Sequence, residues 1–115
     1  MSKGDLLGAF EQLVLLAVAR LEGEGYGVTL RKEIAARTGR DVSIGSVYST
    51  LDRLESKGLL TSSESAPSPV RGGRARRLFQ VEQAGMRALW ESRRMIDAMW
   101  DGVERGESIR EAGSR

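Results

Sequence analysis

The side chains with chemistry to offer fall in two stretches of this sequence. The first is Ser43-Ile-Gly-Ser-Val-Tyr-Ser-Thr-Leu-Asp-Arg53, in which Ser43, Gly45, Ser46, Tyr48 and Ser49 are small, hydroxylic or aromatic. Such hydroxyls exchange hydrogen bonds with base edges or phosphates, and the Tyr48 ring could cover a sugar while its hydroxyl does the same. The second is the run from Arg71 to Arg77, where Arg71, Arg74, Arg76 and Arg77 surround Gly72 and Gly73. Guanidinium groups on a glycine-rich loop suit phosphates, and such binding weakens steeply with salt. Each stretch has a plain alternative: a solvated amphipathic helix for the first and a solubilising basic loop for the second.

Catalysis has little to work with. The 115 residues include no histidine and no cysteine, which removes thiolate chemistry, disulfides, a histidine pH switch and the commonest metal ligand. The carboxylates are scattered along helix faces, with no paired acid and base. Gly23-Glu-Gly-Tyr-Gly27 has glycines spaced a little like a phosphate loop, but a helical segment precedes it and no Lys-Ser/Thr pair follows. A turn is the better reading. The expectation is a protein that is not an enzyme and needs no metal or cofactor.

Elements must then position the two stretches. Length allows one domain with one modest core, and 40% hydrophobic with 30% charged residues suits a soluble fold. No apolar run approaches a membrane span and the first residues lack a signal-peptide core, so a cytoplasmic protein without a membrane partner is expected. The net charge of +2 is unevenly placed: residues 26–79 hold ten Lys/Arg against five Asp/Glu, and both flanks are slightly acidic. Polyanion binding therefore belongs to the middle.

Periodicity predicts a first helix over 6–21, a second over 29–38 with Leu30, Ile34 and Ala35 inward, and a third over 43–57. The third has Ile44, Val47, Leu51 and Leu54 on one stripe, Ser43 as N-cap and Gly58 as stop. The short connection 39–43 makes the second and third a helix-turn-helix. Residues 59–64 and 74–81 read as strands around a Pro- and Gly-rich loop, with Phe79 and Val81 inward. A long helix over 82–105 follows, and residues 106–115 read as a flexible tail. The fold class is mainly α with a small β-hairpin (α+β): a winged helix-turn-helix over 1–81, then a C-terminal dimerisation helix over 82–105. On that helix Met86, Leu89, Ile96, Trp100 and Val103 make a seam flanked by Trp90, Met95 and Met99, too long for one small domain to cover. Pairing with a second copy about a two-fold axis is the remedy. Leu15 and Val18 widen the first helix's stripe, which assigns them partly to the partner subunit, with plain burial as the alternative.

In order and spacing these features resemble the PadR-like transcriptional regulators over about residues 7–105. The resemblance is carried by Gly25-Tyr-Gly27, by Ser46-Val-Tyr48 with Leu51, Leu54, Glu55, Gly58, Leu59 and Leu60, and by Gly73-Arg-Ala-Arg-Arg-Leu-Phe-Gln-Val81 with Gly85. Leu78, Gln80 and Glu82 depart from the aromatic, arginine and threonine common there. The resemblance implies a homodimeric repressor on a near-palindromic operator in double-stranded DNA, released in some similar proteins by flat aromatic ligands held against tryptophan.

The residues assigned to base reading are Ser43, Gly45, Ser46, Tyr48 and Ser49. Those assigned to phosphates are Lys32, Arg53, Arg71, Arg74 and Arg76. The dimer interface is assigned to Leu15, Val18, Met86, Leu89, Ile96, Met99, Trp100 and Val103. Trp90 and Trp100 have two roles open, packing of the dimer core or lining of a small-ligand pocket. The competing function is a ligand-sensing or protein-interaction module that docks a protein on the winged helix.

Overall fold

Short polar exchanges set where the helices start and stop. The computed structural model describes residues 6–65 and 76–103, in which three helices are followed by two strands and a fourth helix. Helix α1 spans Ala9–Leu21. It starts at Ala9, not Leu6, because the Glu11 carboxylate accepts the Gly8 N–H at 3.0 Å and closes the first turn there. Helix α2 spans Gly27–Thr38, two residues earlier than periodicity predicted. Thr29 sits inside its first turn: its hydroxyl accepts the Tyr26 N–H and donates to the Tyr26 carbonyl, both at 3.0 Å.

Helix α3 spans Ile44–Ser56, and Ser43 Oγ caps it by accepting the Ser46 N–H at 3.0 Å. Its far end closes through Gly58, whose φ of 77° is the left-handed value that glycine adopts without strain. There the Gly58 N–H reaches the Glu55 carbonyl and the Leu59 N–H reaches the Leu54 carbonyl. Ile44, expected on the inward stripe, is exposed in the first turn; Val47, Leu51 and Leu54 are buried.

Strands β1 (Leu60–Glu64) and β2 (Arg77–Val81) pair antiparallel, with Leu60 opposite Val81 and Glu64 opposite Arg77. A third piece was not foreseen. The Phe79 N–H donates to the Gly25 carbonyl at 3.0 Å, so the glycine turn after α1 adds a one-residue bridge to the hairpin and helps to seal Phe79 in the core.

Helix α4 spans Gln83–Trp100 and is fastened where it begins. The Glu82 N–H donates to the Leu59 carbonyl at 2.9 Å, and Gly85 lies against that same carbonyl, where a Cβ would have no room. The helix stops five residues short of Arg105, because Asp101-Gly102 turns the chain and Gly102 takes a positive φ. Val103, expected on the helix seam, therefore lies in the turn beyond it, and the tail over 106–115 lies outside the described residues.

The core is formed by Val14, Leu15, Val18, Leu30, Val47, Leu51, Leu54, Leu60 and Phe79, all fully enclosed. This corrects the assignment of Leu15 and Val18 to a subunit interface, since both are 0% exposed within a single chain. α1 is the central helix and packs on α2, α3, β2 and α4, which is why its apolar stripe is so wide. Leu89 is likewise buried in the chain's own core, with Met86 packed beside it. Among the described residues, no helix is long and apolar enough to cross a membrane.

Candidate nucleic-acid interface

The base-reading candidates share the exposed side of α3. Ser43, Gly45, Ser46, Tyr48 and Ser49 are all solvent-facing, and the space beside Gly45 is open. Ser43 is partly committed, since its Oγ caps the helix and donates to Ser46 Oγ at 2.8 Å. Ser46 and Ser49 lie along the same rim, where Ser49 Oγ reaches the Ser46 carbonyl at 3.3 Å.

Tyr48 also packs within the chain. Its ring lies against Gly27 at the start of α2, where an added Cβ would come within 2.7 Å of Cε1. The glycine of the Gly25-Tyr-Gly27 turn thus leaves room for the tyrosine of α3 and sets where its hydroxyl emerges.

The cations divide into three groups. Lys32 is exposed on α2 as expected. Arg31 is a strut of the helix-turn-helix connection: Nε donates to the Val42 carbonyl at 2.8 Å and Nη2 pairs with Asp41 at 3.4 Å. Arg53, assigned to phosphates, is half-exposed and also has partners within the chain, with Nε donating to Glu11 Oε2 at 3.0 Å and Nη2 to Thr50 Oγ1 at 3.3 Å. Lys57 Nζ reaches the same Glu11 oxygen at 3.0 Å.

Glu11 is 8% exposed, and burial alone would raise its pKa. The Gly8 N–H, Lys57 and Arg53 outweigh that and hold the carboxyl below its ordinary value. Sequence reasoning missed this joint. Its one local signal is the position of Glu11 three residues after Gly8, and nothing local announces partners 42 and 46 residues away.

On the hairpin, the Arg76 guanidinium stacks over the Tyr26 ring at 4.5 Å from its centre, which links the base of the wing to the start of α2. Arg71 and Arg74 lie outside the described residues. α2, α3 and the outer end of the hairpin together make a surface of small hydroxylic side chains flanked by Lys32 and Arg76.

On another side of the molecule α1 and α4 form a groove of about 290 Å³, lined by Gln12, Leu16, Met86, Leu89, Trp90, Arg93, Ile96 and Asp97. Trp90 is at its wall but Trp100 is not. Ten helical residues put them roughly 15 Å apart along the axis, so one small pocket does not take both rings. Trp90 is 64% exposed, and Ile96, Met99 and Trp100 are 52%, 77% and 52% exposed towards the end of α4, an apolar patch of the kind that marks an interaction site.

A helix-turn-helix followed by a hairpin and a long helix defines a winged-helix regulator. Residues 15–91 match the Transcriptional regulator PadR-like family, and the chain belongs to it. It is 40% identical over 87 residues to transcriptional regulator Rv3488 of Mycobacterium tuberculosis, which covers 76% of this chain and 77% of that one. The fold is similar to that of a PadR family regulator from Eggerthella lenta, with a TM-score of 0.68 and 28% identity over 86% of this chain and 84% of the other. It is also similar to a PadR-like regulator from Bacillus cereus, with a TM-score of 0.70 and 22% identity over 90% and 95%. The chain is thus a transcriptional regulator and not an enzyme.

Proposed function

We propose that this regulator binds double-stranded DNA as a homodimer and represses by occluding a promoter. The observation that carries the reading is the exposed side of α3. A capped helix presents the small Gly45, Ser46 and Ser49 with Tyr48 as the one large side chain among them, so its first turns can enter a major groove. Lys32 and Arg76 flank it as phosphate contacts, and Arg71 and Arg74 extend the same role to the wing. With few long bidentate side chains on α3, DNA shape supplies part of the sequence preference.

In this reading residues 1–81 engage DNA and 82–105 join two copies, with Ile96, Met99 and Trp100 on the shared face. Two reading helices then meet half-sites about one helical turn apart. A small planar ligand acting as inducer would enter the groove beside Trp90, between α1 and α4. Such a protein works in the cytoplasm, beside the DNA it controls.

The test is DNA binding by fluorescence anisotropy over a range of salt, for wild type, Tyr48→Ala and Arg76→Ala. Tyr48→Ala should lower discrimination between a selected site and unrelated DNA. Arg76→Ala should weaken both duplexes alike and reduce the salt slope by about one. Equal losses on both duplexes from both variants would refute the division between reading and clamping. Absence of any duplex binding at low salt would favour docking of a protein partner instead.

A further inference from the structure

Arg77 opens β2, but its guanidinium is turned back onto α3. Nη2 donates to Glu55 Oε1 at 2.6 Å, Nη1 to Asp52 Oδ1 at 3.2 Å and Nε to Ser62 Oγ at 3.2 Å. Ser62 Oγ is also within 2.9 and 3.1 Å of the two Glu55 carboxylate oxygens. One planar side chain therefore joins β1, β2 and a turn of α3, on which Asp52 and Glu55 are surface neighbours three residues apart.

The place of this joint in the hairpin gives it a purpose. At the Leu60–Val81 end, Leu60 and Phe79 bury the strands in the core. At the other end the last pair is Glu64 with Arg77, both exposed, and its one ring contact is the Arg77 guanidinium itself, 5.1 Å over the centre of the Phe79 ring. The Arg77 grip, together with the Ser62–Glu55 bond, ties the outer hairpin to the reading helix. It also sets a cation beside two carboxylates that would otherwise repel a phosphate backbone.

We propose that Arg77 is a positioning residue for DNA recognition: it fixes the angle between hairpin and α3, so that Arg76 and the α3 hydroxyls meet one duplex together, and it makes no phosphate contact of its own. This rests on the DNA-binding reading above.

The experiment compares wild type, Arg77→Ala, Arg77→Lys and the double variant Asp52→Asn/Glu55→Gln. Each is titrated over a range of salt with a duplex that wild type selects from a random pool, and with an unrelated duplex of equal length. Positioning predicts that Arg77→Ala lowers the ratio of the two affinities about tenfold, the size of one lost base contact, with the salt slope unchanged. The double variant should lower the same ratio although it makes the chain more positive, because the guanidinium has lost its two carboxylate partners. Arg77→Lys keeps the charge without the planar grip and should also lose discrimination.

A slope smaller by about one with the ratio intact would make Arg77 a phosphate contact and overturn the proposal. A wild-type ratio in the double variant, or full rescue by lysine, would also overturn it. If Arg77→Ala does not fold, the double variant on the exposed side of α3 decides alone. A wild-type protein that selects no duplex refutes the DNA-binding reading itself, and the positioning role falls with it.

Discussion

Replacing Glu11 should damage both the fold and the setting of α3, and the size of the first effect can be worked from its contacts. The carboxylate accepts the Gly8 N–H, Arg53 Nε and Lys57 Nζ, each at 3.0 Å. Losing the helix-start bond costs about 1 kcal/mol. The two cation contacts have their heads partly in water, so each is worth about 0.5 kcal/mol and not the larger value of a buried pair. Glu11→Ala should therefore cost about 2 kcal/mol, a fall in Tm of roughly 8 °C for a chain of this length. Glu11→Gln keeps an acceptor for Gly8 and should cost about half as much.

The pH dependence has a definite sign. The folded pKa lies below the ordinary 4.5, so this stabilisation is fully present above that value and is lost as pH falls through the lowered folded value. The gap between wild type and Glu11→Gln should thus be widest near neutrality and close in acid. Urea unfolding followed by far-ultraviolet circular dichroism, at equal protein concentration, measures it. A Glu11→Gln variant with the wild-type midpoint at neutral pH, or a gap that does not narrow in acid, would refute the reasoning.

Three further outcomes follow from the packing. Gly85→Ala sets a Cβ on the Leu59 carbonyl and 2.8 Å from Val81 Cγ1, so it should cost about 2 kcal/mol in thermal unfolding as α4 is pushed off the hairpin. Gly27→Ala first meets the half-exposed Tyr48 ring, which can swing aside; it should cost less than about 1 kcal/mol, yet lower DNA discrimination as Tyr48→Ala does. If a planar aromatic compound quenches tryptophan fluorescence, Trp90→Phe should abolish the effect and Trp100→Phe should leave it, because only Trp90 walls the groove.

Much of this was legible in the chain because it is written locally. The Ser43 cap, the Gly58 stop, the inward Val47, Leu51 and Leu54, and the hairpin all follow from periodicity and turn chemistry. What was missed depends on elements distant in sequence. Leu15 and Val18 widen a stripe, and a wide stripe looks the same whether a second subunit or four neighbouring elements cover it. The pairing of Arg53 with Glu11, the grip of Arg77 on Asp52 and Glu55, and the seat of Tyr48 on Gly27 join residues 21 to 42 positions apart. Charge counting registered these arginines as available cations. It had no means of seeing that the fold supplies them with carboxylates.

The most direct test is the mass of the complex between the protein and a palindromic duplex selected from a random pool, measured by sedimentation equilibrium at low salt. Two chains per duplex are predicted, falling to free protein and free DNA as salt rises. One chain per duplex, or no complex in dilute buffer, would contradict the reading of α3 and α4 as parts of a dimer built to hold DNA.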